Sequence, residues 1–276
     1  MLSCPAPVYT ANTIEEALRM RAEHPEATVL AGGTDVMVFI EGGALKPTSV
    51  LNIWGCIGLR SIEQTETGHR IGALSTWTDI ANHPGLPPAL IECAATVGAA
   101  QIQNRGTVGG NIANASPAGD SLPLWLAMDA EFELASTRGT RRVEAADFWT
   151  GYRTTAMAKD ELLLAVHIAP RDNDSVVYRK VGTRMAQAIS KVVLGGRIRT
   201  ENGIVTEARV ALGSVAAVPV RLPSVEAALV GAPVDPGAAR LVAEDITPID
   251  DIRSTASYRT AVATRIIRSW LESTAQ

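Results

Sequence analysis

Thr107-Val-Gly-Gly-Asn-Ile-Ala-Asn-Ala-Ser-Pro-Ala-Gly-Asp120 is the stretch that decides the fold of this 276-residue chain, because it sets a glycine pair inside a long run of small polar residues. Such a composition is typical neither of a core strand nor of a core helix. A buried loop must satisfy its polar groups, and a ligand with phosphate, hydroxyl groups and a polar ring edge would do so. The stretch therefore predicts a nucleotide-binding loop.

A second glycine pair lies about seventy residues upstream, in Val29-Leu-Ala-Gly-Gly-Thr-Asp-Val36. Residues 28–31 are apolar and β-prone, which predicts a strand that runs into a tight loop. Glycine accepts positive φ and leaves its N–H exposed, so Gly32 and Gly33 would allow a diphosphate to approach the backbone, and Thr34 would add a hydroxyl. Alone, a Gly-Gly pair is more often an ordinary turn, but two such segments together suggest one extended nucleotide.

Other nucleotide-binding motifs are missing from the sequence. It contains neither Gly-x-Gly-x-x-Gly nor Gly-x-x-x-x-Gly-Lys-Ser/Thr, which argues against a Rossmann or P-loop site. It also lacks the nucleophile elbow Gly-x-Ser-x-Gly and the zinc motif His-Glu-x-x-His. Cys4, Cys56 and Cys93 are too few and too scattered for an iron–sulfur cluster, and they are expected to be reduced structural thiols. We therefore expect no metal and no catalytic side chain here.

The composition describes a mildly acidic protein that is long enough for two domains. Its net charge of −4, without a run of lysine or arginine, gives no reason to expect nucleic acid or a membrane surface as a partner. Residues 1–7 lack the features of a signal peptide, and no apolar run approaches the ~20 residues that span a bilayer. A cytoplasmic location is expected.

A change in pattern divides the chain near Ala169-Pro-Arg-Asp-Asn-Asp174, where all periodicity stops. We expect one domain over residues 1–170 and a second over 175–276. In the second, Glu201-Asn-Gly203 predicts a β-hairpin, and three helical stretches follow Pro223. This order indicates an antiparallel sheet with helices on one face, an α+β arrangement. In the first domain, Thr13 resembles a helix cap, and helices are also expected over residues 87–100 and 122–128.

The motifs resemble those of a known family, the FAD-binding medium subunits of xanthine dehydrogenase and carbon monoxide dehydrogenase. The matching segments are Ala31-Gly-Gly-Thr-Asp35, Thr107-Val-Gly-Gly-Asn111 with the trailing Ala115-Ser-Pro-Ala-Gly-Asp120, and Arg179-Lys-Val-Gly-Thr-Arg184 followed by Ala188-Ile-Ser-Lys-Val192. Their order and spacing also fit, so the resemblance covers essentially the whole chain. It implies a PCMH-type, vanillyl-alcohol-oxidase-like FAD-binding domain of two α+β lobes, followed by the small C-terminal domain of these subunits.

The resemblance also implies which residues contact the FAD. They are Val29, Leu30, Ala31, Gly32, Gly33, Thr34, Asp35, Val36, Thr107, Gly109, Gly110, Asn111, Ser116, Asp120, Leu163 and Lys180. For three of them another role stays open. Asp120 would equally suit the N-cap of the helix 122–128, Lys180 could be a solvated lysine beside a strand, and Leu163 could be a core residue.

In this family a large subunit oxidises the substrate at a molybdenum cofactor, and a small subunit relays electrons through two 2Fe-2S clusters to the FAD. The resemblance implies that this chain is the electron outlet, in a dimer of heterotrimers, and that it passes electrons to NAD or another acceptor. Val97 stands where relatives from higher organisms have a phenylalanine against the flavin, which leaves the acceptor open. The bacterial form of residues 180–191 favours a purine-like or other N-heterocyclic substrate. The alternatives are a free-standing FAD-dependent oxidoreductase and a flavin-free structural subunit.

Overall fold

The computed structural model describes residues 6–170, 174–184 and 186–275 of the chain. Cys4 and most of the expected domain boundary, residues 171–173, lie outside the described residues. Three larger sheets and their helices make up the fold, so the predicted α+β class is confirmed. Within the described ranges, no helix combines the length and the apolar character needed to cross a bilayer.

The first sheet has three parallel strands in the order β1-β3-β2. The elements are β1 (Val8–Thr10), α1 (Ile14–Glu23), β2 (Thr28–Leu30), α2 (Val36–Glu41) and β3 (Val50–Asn52). Thr13 caps α1 as predicted, because its side chain accepts a hydrogen bond from the Glu16 N–H at 3.1 Å. The strand β2 runs into the first glycine segment, so this sheet places residues 31–35 at its edge.

The second sheet is antiparallel, in the order β4-β5-β10-β6-β7, and it lies between two apolar clusters. Its elements and those around it are β4 (Ile62–Thr65), β5 (Gly68–Gly72), α3 (Trp77–Ala81), α4 (Pro88–Thr96), α5 (Ala100–Gln103), α6 (Val108–Asn114), α7 (Leu122–Ala127), β6 (Glu131–Ser136), β7 (Gly139–Glu144), α8 (Ala145–Phe148), β8 (Trp149–Gly151), β9 (Thr154–Thr155) and β10 (Leu162–Ile168). The helix expected over 87–100 ends earlier, at Thr96, because Gly98 takes a positive φ of 61°.

The third sheet, β11-β12-β13-β14, is antiparallel and carries helices on one face, as predicted. Its elements are β11 (Ser175–Val181), β12 (Val192–Glu201), β13 (Ile204–Gly213), β14 (Val220–Arg221), α9 (Pro223–Leu229), the 3-10 helix Pro236–Leu241, α10 (Val242–Asp245) and α11 (Ala256–Thr274). Asn202 and Gly203 both have positive φ, 53° and 79°, which is the geometry of a tight hairpin turn. The other face of the sheet packs on α7, where Gly195 approaches the Pro123 backbone.

A buried ion network joins this third sheet to the preceding part of the chain. The Arg197 side chain is fully buried and donates from Nε to the Ala127 carbonyl at 2.9 Å. Its terminal nitrogens pair with Asp174, at 2.8 Å, and with Asp129 and Glu207. Since Ala127 is the last residue of α7 and Asp129 follows this helix, one guanidinium holds the sheet against the N-terminal part of the molecule.

The two described cysteines, Cys56 and Cys93, are free and buried, as expected of structural thiols. Burial raises the pKa of Cys56 to about 11, and it also raises the pKa of Cys93. Both side chains are therefore neutral thiols at physiological pH and pack as small apolar groups.

Candidate functional site

A long cleft of about 1740 Å³ runs between the three sheets, and both glycine segments line it. Pockets for drug-sized ligands are typically ~300–1,000 Å³, so the cleft has room for an extended dinucleotide. Of the residues expected to contact FAD, all but Leu30 and Lys180 line its wall. The tertiary structure thus brings together residues that are far apart in sequence.

The first glycine segment forms a loop, residues 31–35, that leads from β2 into α2. Gly33 has a φ of 81°, a conformation that favours glycine. Gly32 lies so close to the backbone that leads into the second segment that a Cβ on it would stand 1.7 Å from the Arg105 carbonyl oxygen. Both glycines are therefore required by the backbone path itself.

The backbone of this loop provides four hydrogen-bond donors, the N–H groups of Gly32, Gly33, Thr34 and Asp35. Across residues 6–170, 174–184 and 186–275, none of these four N–H groups donates to a protein acceptor. All four residues line the cleft. A diphosphate needs several N–H donors at close range, and consecutive backbone amides near a helix start supply them. This loop fits the diphosphate of a dinucleotide.

The second segment differs from the predicted loop, because residues 108–114 form α6. Thr107 caps this helix and accepts from the Gly110 N–H at 3.0 Å, while Val108 and Gly109 donate to the Ser75 and Ala73 carbonyls at 2.9 and 2.8 Å. The prediction of a loop was wrong because tertiary packing overrides the weak helix propensity of Gly109 and Gly110. These three amide N–H groups already donate hydrogen bonds within the protein. The start of α6 therefore lines the cleft but offers a ligand no free donor at these positions.

A polar chain links the two segments across the cleft. The Asn114 side-chain amide donates to Asp35 Oδ2 at 3.0 Å, and Arg153 donates to Asn114 Oδ1 at 2.8 Å. Burial raises the pKa of Asp35, and the positive charge of Arg153 acts in the opposite direction. These hydrogen bonds hold the loop after β2 against the end of α6.

Asp120 occupies the end of the cleft that faces the third sheet. Its carboxylate accepts from Lys180 Nζ at 2.7 Å and from the Ser190 hydroxyl. Burial raises the pKa of Asp120, while Lys180 and Ser190 lower it in part. The N-cap position of α7 is Ser121, so Asp120 does not serve as the helix cap that was the alternative.

Lys180 is not a solvated lysine, since its side chain is only 9% exposed and its Nζ also donates to the Thr96 carbonyl at 2.9 Å. It lies behind Asp120 rather than in the cleft wall. A direct contact between Lys180 and FAD stays a prediction. What the geometry shows is a buried cation that holds the Asp120 carboxylate in place.

The Lys180→Met substitution should destabilise the protein by about 3–5 kcal/mol at neutral pH, because it leaves a buried carboxylate without its cation. The loss should shrink as the pH falls, since the folded state binds the Asp120 proton more tightly than the unfolded chain does and protonation removes the unpaired charge. Urea denaturation at several pH values measures this. The double variant Lys180→Met with Asp120→Asn should recover most of the stability. A double variant as unstable as the single one would contradict this explanation.

Several cleft residues carry no signal in the sequence. Arg153 and Arg21 stand outside the segments that resemble the family, and only the tertiary structure brings them to the cleft. Ser190 lies within the matching segment 188–192, but no role was predicted for it. Leu163, by contrast, is both a cleft residue and a core residue, with 5% of its surface exposed, so its two expected roles do not exclude each other.

Two family models match consecutive parts of the chain. The "FAD binding domain in molybdopterin dehydrogenase" matches residues 4–171, and the "CO dehydrogenase flavoprotein C-terminal domain" matches residues 177–274. Together they span almost the whole sequence. The first, which covers more than half of the chain, corresponds to the part that holds both glycine segments.

Curated relatives and solved structures agree with these models. The chain is 31% identical to the xanthine dehydrogenase FAD-binding subunit of Escherichia coli O157:H7, over 95% of this chain and 91% of the relative. It is 34% identical to the nicotinate dehydrogenase FAD-subunit of Eubacterium barkeri, over 82% and 80%. A structure of carbon monoxide dehydrogenase from Hydrogenophaga pseudoflava matches with a TM-score of 0.93 and 26% identity, over 98% and 96% of the two chains. This chain belongs to the FAD-binding medium subunits of the molybdenum hydroxylase family of oxidoreductases.

Proposed function

We propose that this chain is the electron outlet of a molybdenum-containing hydroxylase, with substrate oxidation on a large subunit and 2Fe-2S clusters on a small one. The observation that carries the proposal is the cleft, which offers four backbone donors without an acceptor among the described residues and also holds an anchored carboxylate. Bound FAD supplies the redox chemistry, because a flavin exchanges electrons singly or in pairs. The residues of this chain bind and orient that cofactor.

Within the cleft, we propose that residues 29–36 hold the diphosphate and that Thr107, Gly109, Gly110, Asn111 and Ser116 form the facing wall. The flavin ring then lies at the Asp120 end, where the carboxylate can accept a hydrogen bond from the ring edge. Lys180 and Ser190 fix the orientation of that carboxylate. Leu163 supplies apolar contact.

The domain division proposed here places the FAD-binding domain at residues 1–170 and the C-terminal domain at 175–276. The two family models, which end at residue 171 and begin at 177, support it. The break in periodicity at 169–174 supports it independently.

The names of the relatives support a proposal for the partners and the substrate of this chain. Several are called subunits or medium chains, which supports assembly with other polypeptides, and we propose a dimer of heterotrimers. Two relatives act on xanthine and nicotinate, both N-heterocycles, which supports a substrate of that class. NAD or another small molecule would accept the electrons.

The decisive experiment is purification of the tagged chain from its native host. We expect a yellow protein that co-purifies with iron and molybdenum in two further polypeptides, and substrate oxidation only by the complex. A lone yellow chain that turns over an organic substrate would favour the free-standing oxidoreductase. A colourless chain within a complex would favour the flavin-free structural subunit.

A further inference from the structure

The guanidinium group of Arg21 lies at the end of the cleft formed by the first sheet, and only part of its hydrogen-bonding capacity is used among the described residues. Arg21 is on α1, lines the cleft, and donates from one terminal nitrogen to the Ala27 carbonyl at 2.7 Å. Its Nε is buried, and within the described ranges of the chain it has no hydrogen-bond acceptor. Val29, Ala31 and Lys159 line the same cleft.

An unsatisfied buried donor is costly, and each one in a native protein needs an explanation. For Arg21 the cost extends to the charge, because burial lowers the pKa of its guanidinium and Asp160 and Glu26 offset this only in part. A ligand atom that accepts a hydrogen bond would satisfy Nε when the cleft is filled.

The hydrogen bond from Arg21 on α1 to the residue before β2 indicates which part of the ligand Arg21 would contact. Its anchor, Ala27, precedes β2, whereas the four free backbone donors follow that strand. Three strand residues at ~3.3 Å each separate the two by roughly 10 Å. Since the flavin end of the cofactor is placed at Asp120, beyond the loop, the nucleoside on the other side of the diphosphate falls beside Arg21.

We propose that Arg21 recognises the adenosine half of FAD, with its Nε–H donating to an acceptor on the ribose or the purine ring. This inference rests on the orientation of FAD given under the proposed function. It assigns a binding role to a residue outside both glycine segments. It also explains why Arg21 is half-buried on α1 with its Nε out of contact with solvent, whereas Arg19 on the same helix is exposed and paired with Glu23.

The test is a set of equilibrium titrations of the flavin-depleted full-length chain with FAD, ADP and FMN. FAD and ADP contain adenosine, and FMN does not. For Arg21→Met we expect the dissociation constants of FAD and ADP to rise about tenfold or more, which is the value of a hydrogen bond from a charged group. The constant for FMN should change less than about twofold. Arg19→Met, on the same helix, is the matched control and should leave all three unchanged.

Arg21→Lys provides a second variant that keeps the cation and can still reach the Ala27 carbonyl, and it should show the same selective loss. If the Arg21 variants bind FMN and FAD with equally weakened affinity, or bind both as tightly as the wild type, the assignment of Arg21 is overturned. A wild-type chain that binds no FAD would instead overturn the proposed function and the inference together. The apo-protein's thermal unfolding separates a binding defect from a folding defect.

Discussion

Gly32→Ala should lose its flavin, because the new methyl group would stand 1.7 Å from the Arg105 carbonyl oxygen. Neither side of this contact is a flexible side chain, so the first glycine segment must move away from the backbone that leads into the second. Overpacking usually costs 1–3 kcal/mol and more where the backbone cannot relax, so we expect a loss of about 3 kcal/mol. The displaced loop should also weaken FAD binding by more than tenfold. Flavin-to-protein absorbance after gel filtration measures the binding defect.

Gly58→Ala is the matched control for this substitution. Its Cβ would meet only Ile14, at an ordinary van der Waals distance of 3.5 Å, and Gly58 does not line the cleft. Flavin content and stability should therefore stay close to wild type. A Gly32→Ala protein with full flavin content and an unchanged unfolding midpoint would show that the close approach of the two segments is not needed.

Arg197→Met is expected to be among the most destabilising single substitutions, with a loss of about 3–5 kcal/mol in the free energy of unfolding. The reason is the fully buried carboxylate of Asp174, whose other ion pair among the described residues is with Arg199. The Ala127 carbonyl would also lose its donor. Because that carbonyl lies in the N-terminal part, the variant should loosen the contact between the third sheet and α7. Urea denaturation measures the loss.

A surface pair provides the control for Arg197. Arg179 on β11 pairs with Glu92 on α4, so it also links the third sheet to the N-terminal part, but both side chains are more than half exposed. Exposed ion pairs contribute about 0–1 kcal/mol, and Arg179→Met should therefore lose little stability. If both variants lose the same free energy of unfolding, burial of Arg197 does not explain its contribution to stability.

Local sequence signals predicted the elements whose geometry depends on a few neighbouring residues. Thr13 caps α1, and Asn202-Gly203 forms the hairpin turn, because the cap and the turn are decided by side-chain hydrogen bonding and by positive φ. The helix α6 was missed because its stability comes from contacts with Ala73 and Ser75, more than thirty residues away in sequence. Propensity alone cannot show such contacts.

By itself the sequence determined the family, the α+β class and the two glycine segments, because glycine pairs, turns and caps act through their own neighbours. Only the tertiary structure decided what each segment offers a ligand. In the described part of the chain, the backbone donors after β2 have no protein acceptor, whereas those at the start of α6 are used within the protein. The tertiary structure also brings Lys180 and Ser190 to Asp120, and Arg21 to the cleft. Whether a buried donor or acceptor has a hydrogen-bond partner depends on which residues, distant in sequence, lie next to it. The tertiary structure decides this.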